Sequence, residues 1–188
     1  DGRQDIHELL RQFGADKLAA SGEQDTIQAS HAAYFTDFMA DRWQDIHDSR
    51  LLNALTLIDP DFENVRLAWQ YAVNQHQWDQ LPKFLRSLGD YFDFRSRGRE
   101  GIELLEQVVA ALRSTSSYSE NERTLGLVLS RLSWFYCDNG FWEKAKNTFP
   151  EAVRILRQHN NYEDLIIALH GSAILADYQR QPELQSKY

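Results

Sequence analysis

LSRLSWFYCDNGFWEKAKNTFPEA, running from Leu129 to Ala152, is the stretch that decides the fold. Leu129, Leu132 and Tyr136 recur at steps of three and four, the spacing of one helix face. Gly140 then supplies a stop, and Ala145, Phe149 and Ala152 resume the same spacing. The reading is a helical hairpin. Small residues at Ala145 and Ala152 let two helices approach, while Leu132, Tyr136 and Phe149 fill the groove between them. One hairpin of this kind cannot bury its apolar face alone, so copies of it are expected on either side.

Copies are present in degraded form. Leu85, Leu88, Gly89, Phe92, Gly101, Leu105 and Val108 repeat the order of large and small residues upstream, and Leu169, Ala173 and Ala176 repeat part of it downstream. Together the three segments resemble a TPR array, with Ser133 where the TPR pattern has a small Gly. Gly101 and Ala145 lie 44 residues apart, against about 34 in an ordinary TPR, so the repeats are degenerate, with extended loops or helices. The resemblance covers residues 59–188 and is specific over Leu129 to Ala152. It implies an all-α fold of antiparallel hairpins wound into a right-handed superhelix, with repeat-core residues Leu129, Leu132, Tyr136, Gly140, Ala145, Phe149 and Ala152.

Outward from that core, periodicity predicts helices over Ile6–Ala20, Gln24–His47 and Leu51–Ile58. Asp59-Pro60 reads as a capping carboxylate followed by a first-turn proline, opening a helix that carries Phe62, Val65 and Trp69. Further helices are expected over Trp78–Arg97, Arg99–Arg113, Glu120–Asp138, Trp142–His159 and Tyr162–Gln179, six from Asp59 onward. Short connections make neighbours antiparallel. Gly98 is expected to end one helix, and Ser119 with Glu122 to form a capping box. Pro150 lacks a backbone donor and crowds the carbonyl of Lys146, so a kink is expected there.

Composition narrows the class. Apolar residues make up 43% of the 188, and Gly and Pro number only 9 and 4. That is too apolar for a disordered chain and too poor in turn residues for a sandwich or barrel. No run approaches the about 20 apolar residues of a membrane span, and no leader pattern opens the sequence. The single Cys137 excludes an internal disulfide and fits a reducing cytoplasm. A formal net charge of -8 opposes attraction to a polyanion, so no nucleic-acid contact is expected. The only Met is Met39, and Tyr188 falls just after the apparent start of a new helix, so the chain reads as a C-terminally truncated piece of a longer protein.

IHELLRQFGADKLAASGE (Ile6 to Glu23) and HAAYFTDFMADRW (His31 to Trp43) resemble the junction of bacterial STAND-type ATPase regulators, in which a winged-helix segment ends in a His-Glu-Leu-Leu-Arg helix. DPDFENVRLAWQYAVNQ (Asp59 to Gln75) resembles the start of the TPR-like array that follows in that family. The resemblance implies three parts: residues 1–22 ending a winged-helix-like segment, 23–58 as linker helices, and 59–188 as the array. It further implies a sensor of an inducer or protein partner that controls a nucleotide-dependent switch and transcription. No GxxxxGK[ST] occurs, so ATP binding is carried over to no residue.

No residue pattern nominates catalysis, a metal or a cofactor. His7-Glu8 lacks the second His of a zinc-protease helix, since position 11 is Arg11. The other His residues are scattered, and Cys137 reads as a small buried hydrophobe. Asp59, Asp61 and Glu63 lack the remainder of a calcium loop and read as N-terminal helix charges. Two features point to a protein or peptide partner. Arg95, Arg97 and Arg99 flank Gly98 beside Tyr91, Phe92 and Phe94 and could grip an acidic group. The competing account is that helix C-termini favour cations by about 0.3–1 kcal/mol without any ligand. Trp134, between Leu132 and Tyr136, is the tryptophan expected to face outward as an interface anchor, whereas Trp69, Trp78 and Trp142 read as core. The alternative is a scaffold or small-molecule pocket serving an enzyme domain elsewhere in the polypeptide.

Overall fold

The computed structural model describes residues 7–115 and 121–180. All regular structure among them is helical: α1 Glu8–Ser21, α2 Gln24–Asp41, α3 Trp43–Ile46, α4 Leu51–Ile58, α5 Phe62–Asn74, α6 Leu81–Phe94, α7 Gly98–Ser114, α8 Glu122–Asp138, α9 Trp142–Gln158 and α10 Tyr162–Arg180. A 3-10 turn, Asp59–Asp61, joins α4 to α5. The fold is all-α. The helix expected over Gln24–His47 divides at Arg42, which keeps a near-helical backbone, so α3 continues roughly where α2 ends.

Three hairpins from α6 onward close with the same turn. After α6, α8 and α9 a residue in the left-handed region (Ser96, Gly140, Asn160) is followed by one whose N–H reaches five residues back. The bonds are Arg97 to Phe92 at 2.8 Å, Phe141 to Tyr136 at 2.7 Å and Asn161 to Leu156 at 3.0 Å. This is the Schellman closure, which satisfies carbonyls that a helix end leaves open. His76 after α5 makes the same turn, with Gln77 bonding Ala72 at 2.8 Å. Gly98, expected to stop α6, is instead the first residue of α7, where the amide of Asn139 fills the space a Cβ would need. Pro150 lies inside an unbroken α9. The capping partner Ser119 lies outside the described residues, as do positions 181–188.

Packing follows a simple order. α6, α8 and α10 are successive neighbours, α7 and α9 pack against α8, and α9 also packs against α10. α2 lies across α5 and α6, so the residues read as linker share their core. Large rings fill the joints: Trp69 meets Phe84 edge-on at 5.1 Å, Phe62 stacks on Tyr91 at 5.1 Å, and Phe92 meets Phe135 at 6.1 Å. At Gly101 a Cβ would stand 2.9 Å from the Phe135 ring and 3.1 Å from Phe92. The small residue is what allows α7 to sit against α8. The buried set runs without a break from Ala32 to Leu175, and α1 contributes nothing to it.

Candidate functional site

Two of the three clustered arginines, Arg95 and Arg97, pair within the chain. Arg95, capping α6, makes a two-point pair with Asp59, Nε to Oδ1 at 2.9 Å and Nη2 to Oδ2 at 2.5 Å. Tyr91 donates its hydroxyl to the same carboxylate at 3.1 Å. Asp59 therefore does not cap a helix: no side-chain cap bond occurs at α5, and the carboxylate ties the 3-10 turn to α6 across 36 residues. Arg97 lies with its guanidinium carbon 3.9 Å over the Phe62 ring and bonds Glu100 at 2.7 Å. Both arginines thus have acidic partners within the chain. Arg99 is exposed and faces a shallow cleft between α5 and α7 whose rim also carries Glu63, Arg66 and Glu103.

Trp134 is half-buried rather than freely exposed, because α10 crosses it and His170 packs edge-on at 5.8 Å. Burial pushes the nearby Asp138 carboxyl up, and the Trp134 indole partly offsets that rise. Around it, α6 and α8 share a polar seam. Arg131 is almost fully enclosed, with Nη1 3.0 Å from Asp90 Oδ1, and its stem occupies the space beside Gly89. The second Asp90 oxygen is 3.4 Å from His47 Nε2. Next along α6, Asp93 is pushed up to about 7, first by burial, then by the Asp138 charge, with Arg131 opposing and Asp90 adding. Two carboxylates that cannot both ionise cheaply thus face each other across the seam.

None of this assembles a nucleophile. Burial and Asp138 push the Cys137 thiol up to about 11, so it is protonated at neutral pH. Among the described residues no three His, Cys, Asp or Glu side chains are grouped to hold a metal, and no helix is long and apolar enough to cross a membrane.

Sequence reasoning did not single out a cleft of about 570 Å³. It opens where the first turns of α6 and α8 and the start of α10 meet the end of α2 and α3. Trp43 forms one wall, Pro82 and Leu127 supply apolar surface, and Lys83, Arg86 and Arg123 ring it. Arg86 bonds Glu163 at 2.6 Å and the buried Asp164 at 3.2 Å, linking α6 to α10. Only the spacing of Lys83 and Arg86 on one helix face could have hinted at this site. Trp43 and Arg123 come from elsewhere in the chain. No family model matches the sequence, and no curated protein or solved structure is found similar to it.

Proposed function

We propose that this chain is a TPR-like array of helical hairpins in a right-handed superhelix, acting as a non-catalytic interaction or effector-sensing module of a larger signalling regulator of the STAND type, one that controls transcription. The observation that carries this reading is the packing order. α6, α8 and α10 form one row and α7 and α9 pack behind it, which is how stacked two-helix repeats share a continuous core. The small residues Gly101, Ala145 and Ala152 stand at the crossings, with the last two fully buried. The row α6–α8–α10 is the surface such a module presents to a protein or peptide, or to other domains of its own polypeptide, and it carries Arg86, Trp134 and His170. Residues 7–180 are excised from the full-length polypeptide, and nucleotide hydrolysis and transcriptional output are measured with and without inducer. The expected result is loss of inducer response with hydrolysis retained. An unchanged response, or substrate turnover by the excised piece itself, defeats the reading.

A further inference from the structure

We infer that the cleft between α3, α6, α8 and α10 is a binding site for a small organic anion, a carboxylate or phosphate ester carried on a flat unsaturated body. This deepens the sensing role proposed above and rests on it for its biological meaning, though the chemistry of the cleft stands by itself.

The volume, about 570 Å³, falls within the about 300–1,000 Å³ of small-molecule sites. Its charge runs against that of the molecule. On a chain of net charge -8, the cleft gathers three cations and a single carboxylate, Asp79. Asp79 is bonded by the amide of Gln80 at 2.6 Å. Lys83 and Arg123 have no acidic partner in the described structure, unlike Arg95, Arg97 and Arg131, which are all committed. Two unneutralised cations from different helices, facing one concavity, are arranged for an anion that neither helix supplies. The first turns of α6 and α8 also open here, adding the positive ends of two helix dipoles.

Trp43 explains the second half of the ligand. Its indole is partly exposed on the cleft wall, backed by His47 at 5.1 Å, with the Arg86 guanidinium carbon 5.7 Å from the ring. A flat group laid on this wall keeps the indole face and the arginine within reach together.

Arg86 provides a way for occupancy to be felt. Its two acidic partners differ: Asp164 is buried, whereas Glu163 is exposed and held only by this pair. An incoming anion competes with Glu163 and leaves Asp164 in place. Because Glu163 lies in the first turn of α10, ligand binding releases a restraint between α6 and α10, two members of the proposed partner-facing row.

The test uses the whole chain in calorimetric titrations with phenyl phosphate, benzoate, benzylamine and inorganic phosphate. Saturable binding of phenyl phosphate or benzoate is expected, with benzylamine weaker by at least about tenfold. Whichever anion binds more tightly identifies the head group. The double variant Lys83→Ala/Arg123→Ala, both exposed positions, is expected to lose about tenfold or more with unchanged circular dichroism. Trp43→Leu brings phenyl phosphate down toward inorganic phosphate, and Glu163→Gln tightens binding by removing the competitor. Equal affinity for benzylamine, no saturation by either anion, or a double variant that binds like the wild type overturns the inference. If anion binding is absent while excision of residues 7–180 still abolishes the inducer response, the cleft inference fails and the sensing role survives.

Discussion

Asp93 carries the clearest consequence at the scale of one residue. Its carboxyl is raised from an ordinary 3.8 to about 7, burial being the larger cause and the facing Asp138 the next. A raised acid binds its proton more tightly when folded, so between pH 4 and 7 the folded state holds more protons than the unfolded chain. Its contribution to stability is therefore lost as pH rises through that window. Asp93→Asn removes the effect, and urea melts should show the variant gaining about 1–2 kcal/mol over wild type at pH 8 and little at pH 4. The gain stays below the full linkage of the shift because the half-buried carboxylate still sees water. A difference that is flat with pH would mean that Asp93 ionises normally. Neither this residue nor Arg131 could be picked from the sequence, where both look like ordinary charges on helix faces. Arg131 sits one position before Leu132, and only the approach of α6 encloses it against Asp90.

Between elements, stability turns on how closely helices cross and how they end. A Cβ on Gly126 of α8 would stand 2.5 Å from Ile155 Cγ2 and 3.0 Å from its Cβ, both on α9. Alanine is the better helix former by about 1 kcal/mol, but crowding in a full core costs about 1–3 kcal/mol. Gly126→Ala should therefore destabilise by about 1–2 kcal/mol in chemical denaturation. Ser96 behaves oppositely: it holds φ 54 in the turn where the equivalent residue after α8 is Gly140. Ser96→Gly relieves that strain and is expected to add about 0.5–1 kcal/mol, seen as a higher urea midpoint with unchanged slope. The helices themselves were legible because apolar residues recur at three and four and the connections are short; the six from Asp59 onward lie where periodicity puts them. The turn after α6 was misread because Gly98 looks like the stop, whereas the left-handed position falls two residues earlier, on a serine. Asp59 was misread for a different reason. Local pattern makes any Asp before Pro a cap, and the partner that claims it is 36 residues away.

Across the whole molecule the same division holds between what a local pattern encodes and what only assembly creates. Trp134 was expected to face outward; it is half-buried against the core, and the cover it takes from α10 could not be read from α8. The cleft draws on Trp43, Lys83 and Arg123, separated by 40 residues at each step, so it exists only once α2, α3, α6 and α8 have packed. At the other extreme, α1 is nearly independent of the rest. None of its residues is buried, Leu9, Leu10 and Phe13 are 59–68% exposed, and Gly22, at φ 76, ends it in a left-handed turn. Residues that bury little apolar area contribute little at about 25 cal/mol per Å². Deleting residues 1–22 should therefore shift the melting temperature by less than about 2 °C, whereas Met39→Ala, at a fully buried position of α2, should cost about 2–5 kcal/mol. The same deletion should reduce self-association, since it removes three exposed apolar side chains from the surface. A fall of more than about 5 °C on deletion would show instead that α1 packs onto the other helices in solution and that Leu9, Leu10 and Phe13 help hold the fold together.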